Sequence, residues 1–152
     1  MAAPASVHRA IHVFNRQRAL PVDLAWLRRF AAAALAEIGK DIHPATPLAA
    51  LEEIEVSIVS DRVIARVHRD FMDIPGATDV ITFEHGEIVI SSQTADRYAR
   101  EFKQPLPHEL GLYIIHGILH LNGYDDLSEP AASIMKKEQA ALLRRTLDAL
   151  ER

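Results

Sequence analysis

The densest set of side chains able to do chemistry lies in one run, His116-Gly117-Ile118-Leu119-His120-Leu121-Asn122-Gly123-Tyr124-Asp125-Asp126. His116 and His120 stand four residues apart in an apolar stretch. On a helix that spacing stacks them on one face with Cβ atoms about 5–6 Å apart. Two imidazoles so placed can meet one divalent ion, each at about 2.0–2.1 Å. Gly123 ends the helix and lets the chain turn back, which brings Asp125 or Asp126 to a third corner, and Asp126 has the better spacing. A lone histidine on an apolar helix is usually a core residue with its hydrogen bonds satisfied. Two of them four apart are harder to explain that way, because each buried imidazole needs partners. Three protein ligands leave a fourth position for water, the arrangement of a catalytic zinc. An ion so held lowers the pKa of its water from about 15.7 toward 7 and polarises a carbonyl or phosphoryl oxygen.

The same spacing, H-x3-H-x2-G-x2-D, matches the ligand pattern of extended zinc proteases, so peptide hydrolysis has to be weighed. Those enzymes carry H-E-x-x-H, with the glutamate as general base. Here the position is Gly117, which cannot take a proton. No other side chain stands out as a base, leaving the water on the metal as the only reactive group assigned. Glu109 shares the helical face of His116 but lies about 10 Å up the axis at 1.5 Å per residue, too far to ligate the same ion. Asp125 is an alternative ligand or a partner of one, and Tyr124 is divided between packing and a hydroxyl near the ion. His8, His12, His43, His68, His85 and His108 are scattered and expected at the surface or in the core. Trp26 and Tyr98 sit in amphipathic helices and are expected in the core. Lys136, Lys137, Arg144 and Arg145 read as a solvated face.

Composition narrows the setting. A chain of 152 residues suits one domain, residues 1–152. The absence of cysteine excludes disulfides, thiolate zinc sites, iron–sulfur clusters and a thiol nucleophile, so any metal must rest on nitrogen and oxygen. The net charge of −4 gives no general prior for nucleic acid, which usually shows as a basic balance. His8, Arg9 and His12 interrupt the N-terminal run before a targeting core could form. Leu110–Leu121 falls far short of the roughly 20 apolar residues of a membrane span. A soluble, cytoplasmic protein is expected.

The elements that must position the histidines follow from periodicity. Val7–Phe14 alternates loosely and reads as a first strand. Pro21 and Asp23 open a helix through Ile38, stopped at Gly39. Asp41–Ala50, with two prolines and no period, reads as a connection. Glu53–Val59 alternates as a strand. Ser60 caps a helix to about Phe71 with Val63, Ile64 and Val67 inward. Asp79–Phe83 and Glu87–Ile90 form a hairpin about Glu84-His85-Gly86. Ser91 or Ser92 caps a polar helix through Phe102. Pro105 and Pro107 break the chain before the apolar helix His108–Asn122, and Ser128 and Pro130 open a last helix to Leu150. The expected class is α+β: a single layer of about four strands packed with about five helices, with the metal site on a central apolar helix and the following turn, the strand order undetermined.

The segment His116-Gly117-x-Leu119-His120-Leu121-x-Gly123-Tyr124-Asp125 resembles the signature H-G-x-L-H-L-x-G-Y-D-H of the YbeY family, bacterial metal-dependent endoribonucleases of rRNA maturation and ribosome quality control. Thr78-Asp79-Val80-Ile81-Thr82-Phe83 is similar to its T-D-V-L-S-F, and Gly86-Glu87-Ile88-Val89-Ile90-Ser91 to its G-D-I-V-I-S. The order and spacing of elements agree over nearly the whole chain. The resemblance implies hydrolysis of single-stranded RNA, notably at the 16S rRNA 3′ end, with the small ribosomal subunit as partner. It implies a zinc ion on His116, His120 and residue 126. The family usually has His at that last position; Asp126 keeps a sound ligand set at about 2.0–2.2 Å but adds a negative charge, which makes a weaker Lewis acid and favours harder ions.

Two further departures bear on activity. Where the family tends to carry an arginine thought to meet the RNA backbone, this chain has Met72. Arg62, Arg66 and Arg69 share one face of the preceding helix and can supply a phosphate-binding stripe instead, or they form a solvated face. The hairpin loop is also shorter than usual, which opens the cleft or removes a substrate contact. These changes motivate a competing expectation, a ribosome-associated assembly factor that binds RNA without cutting it; a zinc protease ranks third.

Overall fold

The computed structural model describes residues 9–152, so Val7 and His8 of the expected first strand lie outside the described residues. The described part of that strand is β1, Ala10–Asn15, one residue longer at its C-terminal end than the alternation indicates. It is followed by α1 (Leu24–Ile38), a 3₁₀ turn (Gly39–Asp41), α2 (Pro47–Ala50), β2 (Glu53–Val59), α3 (Asp61–Met72), β3 (Val80–Phe83), β4 (Glu87–Ser91), α4 (Ser92–Glu101), α5 (Leu106–Leu121) and α6 (Glu129–Leu150). The additional helix, α2, is a single turn inside the stretch read as a connection. Thr46 caps it and Pro47 occupies its first position, a local signal too short to show as periodicity. Pro107 does not end the chain's path before α5 but lies inside its first turn, where its missing N–H leaves no bond unmade.

One four-stranded sheet runs in the order β1-β2-β4-β3. β1, β2 and β4 are parallel, and β3 returns antiparallel to β4 through the hairpin. Gly86, at φ 105°, makes that tight return. Both faces of the sheet are covered. Val13, Ile54, Val56, Ile58, Ile88 and Ile90 point to the main core, against α1 and α5. Val59, Ile81 and Val89 point to the other face, where Ile64 of α3 covers them. This alternation explains why β2 reads as amphipathic at its start yet is almost wholly buried after Glu55: a central parallel strand is covered on both sides.

α5 is the axis of the molecule, buried along most of its length. Two glycines let it approach its neighbours. A Cβ at Gly111 would lie 2.7 Å from the Phe30 ring of α1, and one at Gly117 would lie 2.7 Å from Ile88 of β4. Among the described residues no helix is long and apolar enough to cross a membrane.

Candidate metal centre

His116 and His120 emerge from the C-terminal half of α5, both half-buried. Their rings meet edge to face, with centroids 4.5 Å apart and the two Nε2 atoms 3.0 Å apart. The end of α5 is shaped by Gly123, at φ 95°. Its N–H donates to the His120 carbonyl while the Tyr124 N–H donates to the Leu119 carbonyl, the paired bonds of a left-handed helix stop. That turn aims the Tyr124 carbonyl back at His120, whose Nδ1 lies 3.0 Å away. Asn122, buried in the same turn, accepts from the His43 N–H and donates to the Asp41 carbonyl, anchoring the turn to the loop before α2.

Each imidazole is thus held at its Nδ1 by an oxygen: the Tyr124 carbonyl for His120, and the Gln139 side-chain oxygen for His116. An acceptor at Nδ1 requires the proton there, which leaves Nε2 with a bare lone pair. Two lone pairs facing each other at 3.0 Å repel unless a positive charge lies between them. Two nitrogens on one tetrahedral ion would stand about 3.3–3.4 Å apart at bond lengths of about 2.0–2.1 Å, so the rings are within a few tenths of an ångström of that arrangement. Burial first, then the adjacent His116, holds the His120 pKa below its ordinary value, favouring the neutral form a metal requires. The carboxylate of Asp126 completes the group: ligand atoms of His116, His120 and Asp126 all lie within 4.8 Å of one another. These residues fit a divalent ion bound by two nitrogens and one oxygen.

The neighbouring residues sort themselves out. Asp125 spends its Oδ1 on the Leu127 N–H and braces the turn. Tyr124 packs its ring against His43, centroids 5.2 Å apart, and serves His120 through its backbone carbonyl. Gln139, on α6, carries no motif and was not legible as a site residue; it is found only when α6 is laid across α5. Tyr98 departs from its expected place in the core: it is 42% exposed and stacks on Phe102.

The histidines face a cleft of about 580 Å³. One wall is the Thr78–Thr82 segment, which includes the first three residues of the outer strand β3, and another is the Tyr124–Asp126 turn. His68, expected to be incidental, lines the lip beside Met72, and its Nδ1 lies 3.0 Å from the Gly76 carbonyl. The Met72 side chain therefore faces the cleft at the position where the resemblance places an arginine. Glu84 of the short hairpin loop lines the same mouth. Arg62, Arg66 and Arg69 are exposed and border a separate groove of about 430 Å³ with Pro75 and Gly76. They share α3 with His68 and Met72, so the groove and the cleft lie along one helix.

The family model of the endoribonuclease YbeY matches residues 12–147. The chain belongs to the YbeY endoribonuclease family. Endoribonuclease YbeY of Heliobacterium modesticaldum is 32% identical over 141 residues, covering 78% of this chain and 80% of that one. The Thiobacillus denitrificans relative is 38% identical over 109 residues, covering 64% and 74%. A solution structure of a Thermotoga maritima protein shares the fold at a TM-score of 0.59 with 23% identity, over 93% of this chain and 91% of that one. The YbeY family is one of RNA hydrolases. The protease pattern also fails on space: with Ile88 already at 2.7 Å from a bare Cβ at position 117, a glutamate does not fit there.

Proposed function

We propose that this protein is a metal-dependent endoribonuclease specific for single strands, acting in rRNA maturation, including the 16S rRNA 3′ end, and in ribosome quality control. The observation that carries the reading is the pair of Nε2 atoms converging at 3.0 Å, each ring locked from behind, on the floor of an open cleft. His116, His120 and Asp126 hold the ion, with zinc as the resident metal. When bound, it supplies Lewis acidity toward water and the scissile phosphate. The chain's own contribution is placement. Gln139 and Tyr124 fix the ring orientations, Asp126 reduces the net positive charge of the centre, and the β3 wall limits what can lie over it.

The net charge of −4 means that attraction for RNA is local. Arg62, Arg66 and Arg69 form the phosphate-contacting stripe, leading a strand along α3 toward the cleft past Met72. The substrate is rRNA presented on or released from the small ribosomal subunit, and the protein works in the cytoplasm.

The test compares metal-loaded and chelated protein on end-labelled single-stranded and duplex RNA. The single strand should be cut only by the loaded protein, and His120→Ala should lose both bound metal and cleavage. Equal cutting without metal would overturn the mechanism. Metal-replete protein that co-sediments with the small subunit but cuts nothing would replace it with the non-cleaving assembly factor.

A further inference from the structure

His68 is held much as the two metal-site histidines are, yet it stands outside their cluster. α3 ends at Asp73, whose φ of 56° is left-handed, and Gly76, at φ 91°, turns the chain back. That return brings the Gly76 carbonyl to 3.0 Å from His68 Nδ1. A carbonyl oxygen only accepts, so Nδ1 carries the proton and Nε2 of the neutral ring keeps a bare lone pair. The half-buried ring lines the lip of the cleft, and Nε2 is the nitrogen left to meet what enters. Met72, one turn further along the same face, shares the lip and offers no hydrogen-bond donor. The lining as a whole is rich in acceptors. Among the described residues no lysine or arginine lines the cleft, while Asp79, Glu84, Asp125 and Asp126 do. Thr78 spends its hydroxyl proton on the Asp79 carboxylate.

We infer that His68 Nε2 accepts a hydrogen bond from a ribose 2′-hydroxyl, and that this contact makes the cleft select RNA over DNA. The inference rests on the nuclease reading for its substrate, a single strand lying over the metal centre. In such a strand the 2′-hydroxyl is the backbone's one hydrogen-bond donor. The phosphodiesters carry no proton, and the other ribose oxygens are esterified or lie in the ring. The 2′-hydroxyl is also the group that separates RNA from DNA at a given site. Every 2′-hydroxyl lies beside a phosphodiester, and a carboxylate brought there meets that negative charge. A neutral imidazole lone pair accepts the same proton without that repulsion. Because Gly76 already fixes the ring, the side chain loses little freedom when the contact forms. Base amines are donors too, but they change from one base to the next, whereas the 2′-hydroxyl recurs at every nucleotide. Phosphates fall to Arg62, Arg66 and Arg69 in the neighbouring groove, so the two surfaces divide the backbone between them.

The test measures binding rather than cleavage. Zinc-loaded full-length protein at pH 8 is titrated into fluorescent single strands of oligo-U and oligo-A with ribose, 2′-fluoro or 2′-deoxy sugars. All carry phosphorothioate links so that none is turned over. Fluorine keeps the ribose pucker and removes the proton. In both sequences ribose strands should bind about three- to tenfold more tightly than the other two, the worth of one neutral hydrogen bond. His68→Phe should bring ribose strands down to the 2′-fluoro level, with deoxy binding, zinc content and thermal midpoint unchanged. His68→Gln, which keeps an acceptor, should retain part of the preference. Equal binding of ribose and 2′-fluoro strands by the parent protein overturns the inference, whatever the variants do. So does a ribose preference that His68→Phe leaves intact. Equal losses on ribose and deoxy strands would make the ring a phosphate contact, and a loss confined to one sequence would make it a base contact; either overturns the inference. Cleavage of unmodified RNA then separates the two readings. Selective binding without metal-dependent cleavage keeps the ribose contact and sinks the nuclease. Metal-dependent cleavage with no ribose preference in binding leaves the nuclease and sinks the contact.

Discussion

Gly117 rests its α-carbon on the side chain of Ile88, so closely that an added methyl group would lie 2.7 Å from Ile88 Cδ1 and 2.8 Å from Cγ2. The residue between the two histidines is thus the point where α5 is pressed onto β4. Ile88 is fully buried and has nowhere to retreat. Gly117→Ala should therefore destabilise the fold by about 1–3 kcal/mol through overpacking, although alanine favours helix. Thermal unfolding checks this, and Ile88→Val, which removes Cδ1, should restore part of the loss in the double variant. Full additivity of the two changes would show that the contact does not matter.

Gln139 orients His116 from α6. Outer partners of ligating histidines typically contribute about 10–100-fold in metal affinity. Gln139→Leu should weaken zinc binding by that factor with little change in the metal-free protein's unfolding midpoint. Competition against a chromogenic chelator measures it. Unchanged affinity would mean that His116 is oriented by α5 alone.

The three arginines of α3 make a salt-dependent prediction. Each phosphate contact on a single strand adds about 0.7 to the slope of log affinity against log salt. Replacing Arg62, Arg66 and Arg69 together by Gln should lower that slope by about 2 and weaken binding of RNA of any sequence. Fluorescence anisotropy from low to moderate salt reads both. An unchanged slope would return these residues to an ordinary solvated face.

Asp61 ties α3 to α4. Its carboxylate accepts from Ser91 Oγ, Thr94 Oγ1 and Arg97 Nη1, each at 2.7 Å. Burial pushes its pKa up, but these bonds and the Arg97 charge outweigh it and hold the pKa below the ordinary carboxylate value. A depressed pKa stabilises the fold at pH values above the unfolded group's own, about 3.9, and that contribution is lost as pH falls through the folded value. Asp61→Asn should cost about 1–3 kcal/mol at pH 7, and the gap from the parent should close below about pH 4. Urea denaturation across that range decides it; a gap independent of pH would assign the loss to shape rather than charge.

The cluster of His116, His120 and Asp126 was legible in the sequence because its geometry is local. A four-residue helical spacing, a glycine stop and an acidic residue three positions beyond that glycine need no tertiary information. The hairpin was legible for the same reason. What could not be read depends on contacts between distant segments. Gln139 looks like any polar residue of α6 until the crossing with α5 is known. His68 reaches the cleft only because α3 runs along it, and Tyr98 faces outward although its helix has an apolar side. The strand order β1-β2-β4-β3 is likewise a property of how helices cover the two faces. Short α2 escaped because one turn of helix leaves no period.

The two histidines differ in when their supports become available. His120 takes its acceptor from Tyr124, four residues on, and His116 from Gln139, in the last helix. At synthesis rates of about 5–20 residues per second, the stretch from Tyr124 to Gln139 takes about 1–3 seconds to add. One ring can be oriented as soon as its turn closes. The other waits for α6 to emerge and cross α5, so the two rings are oriented at different stages of synthesis.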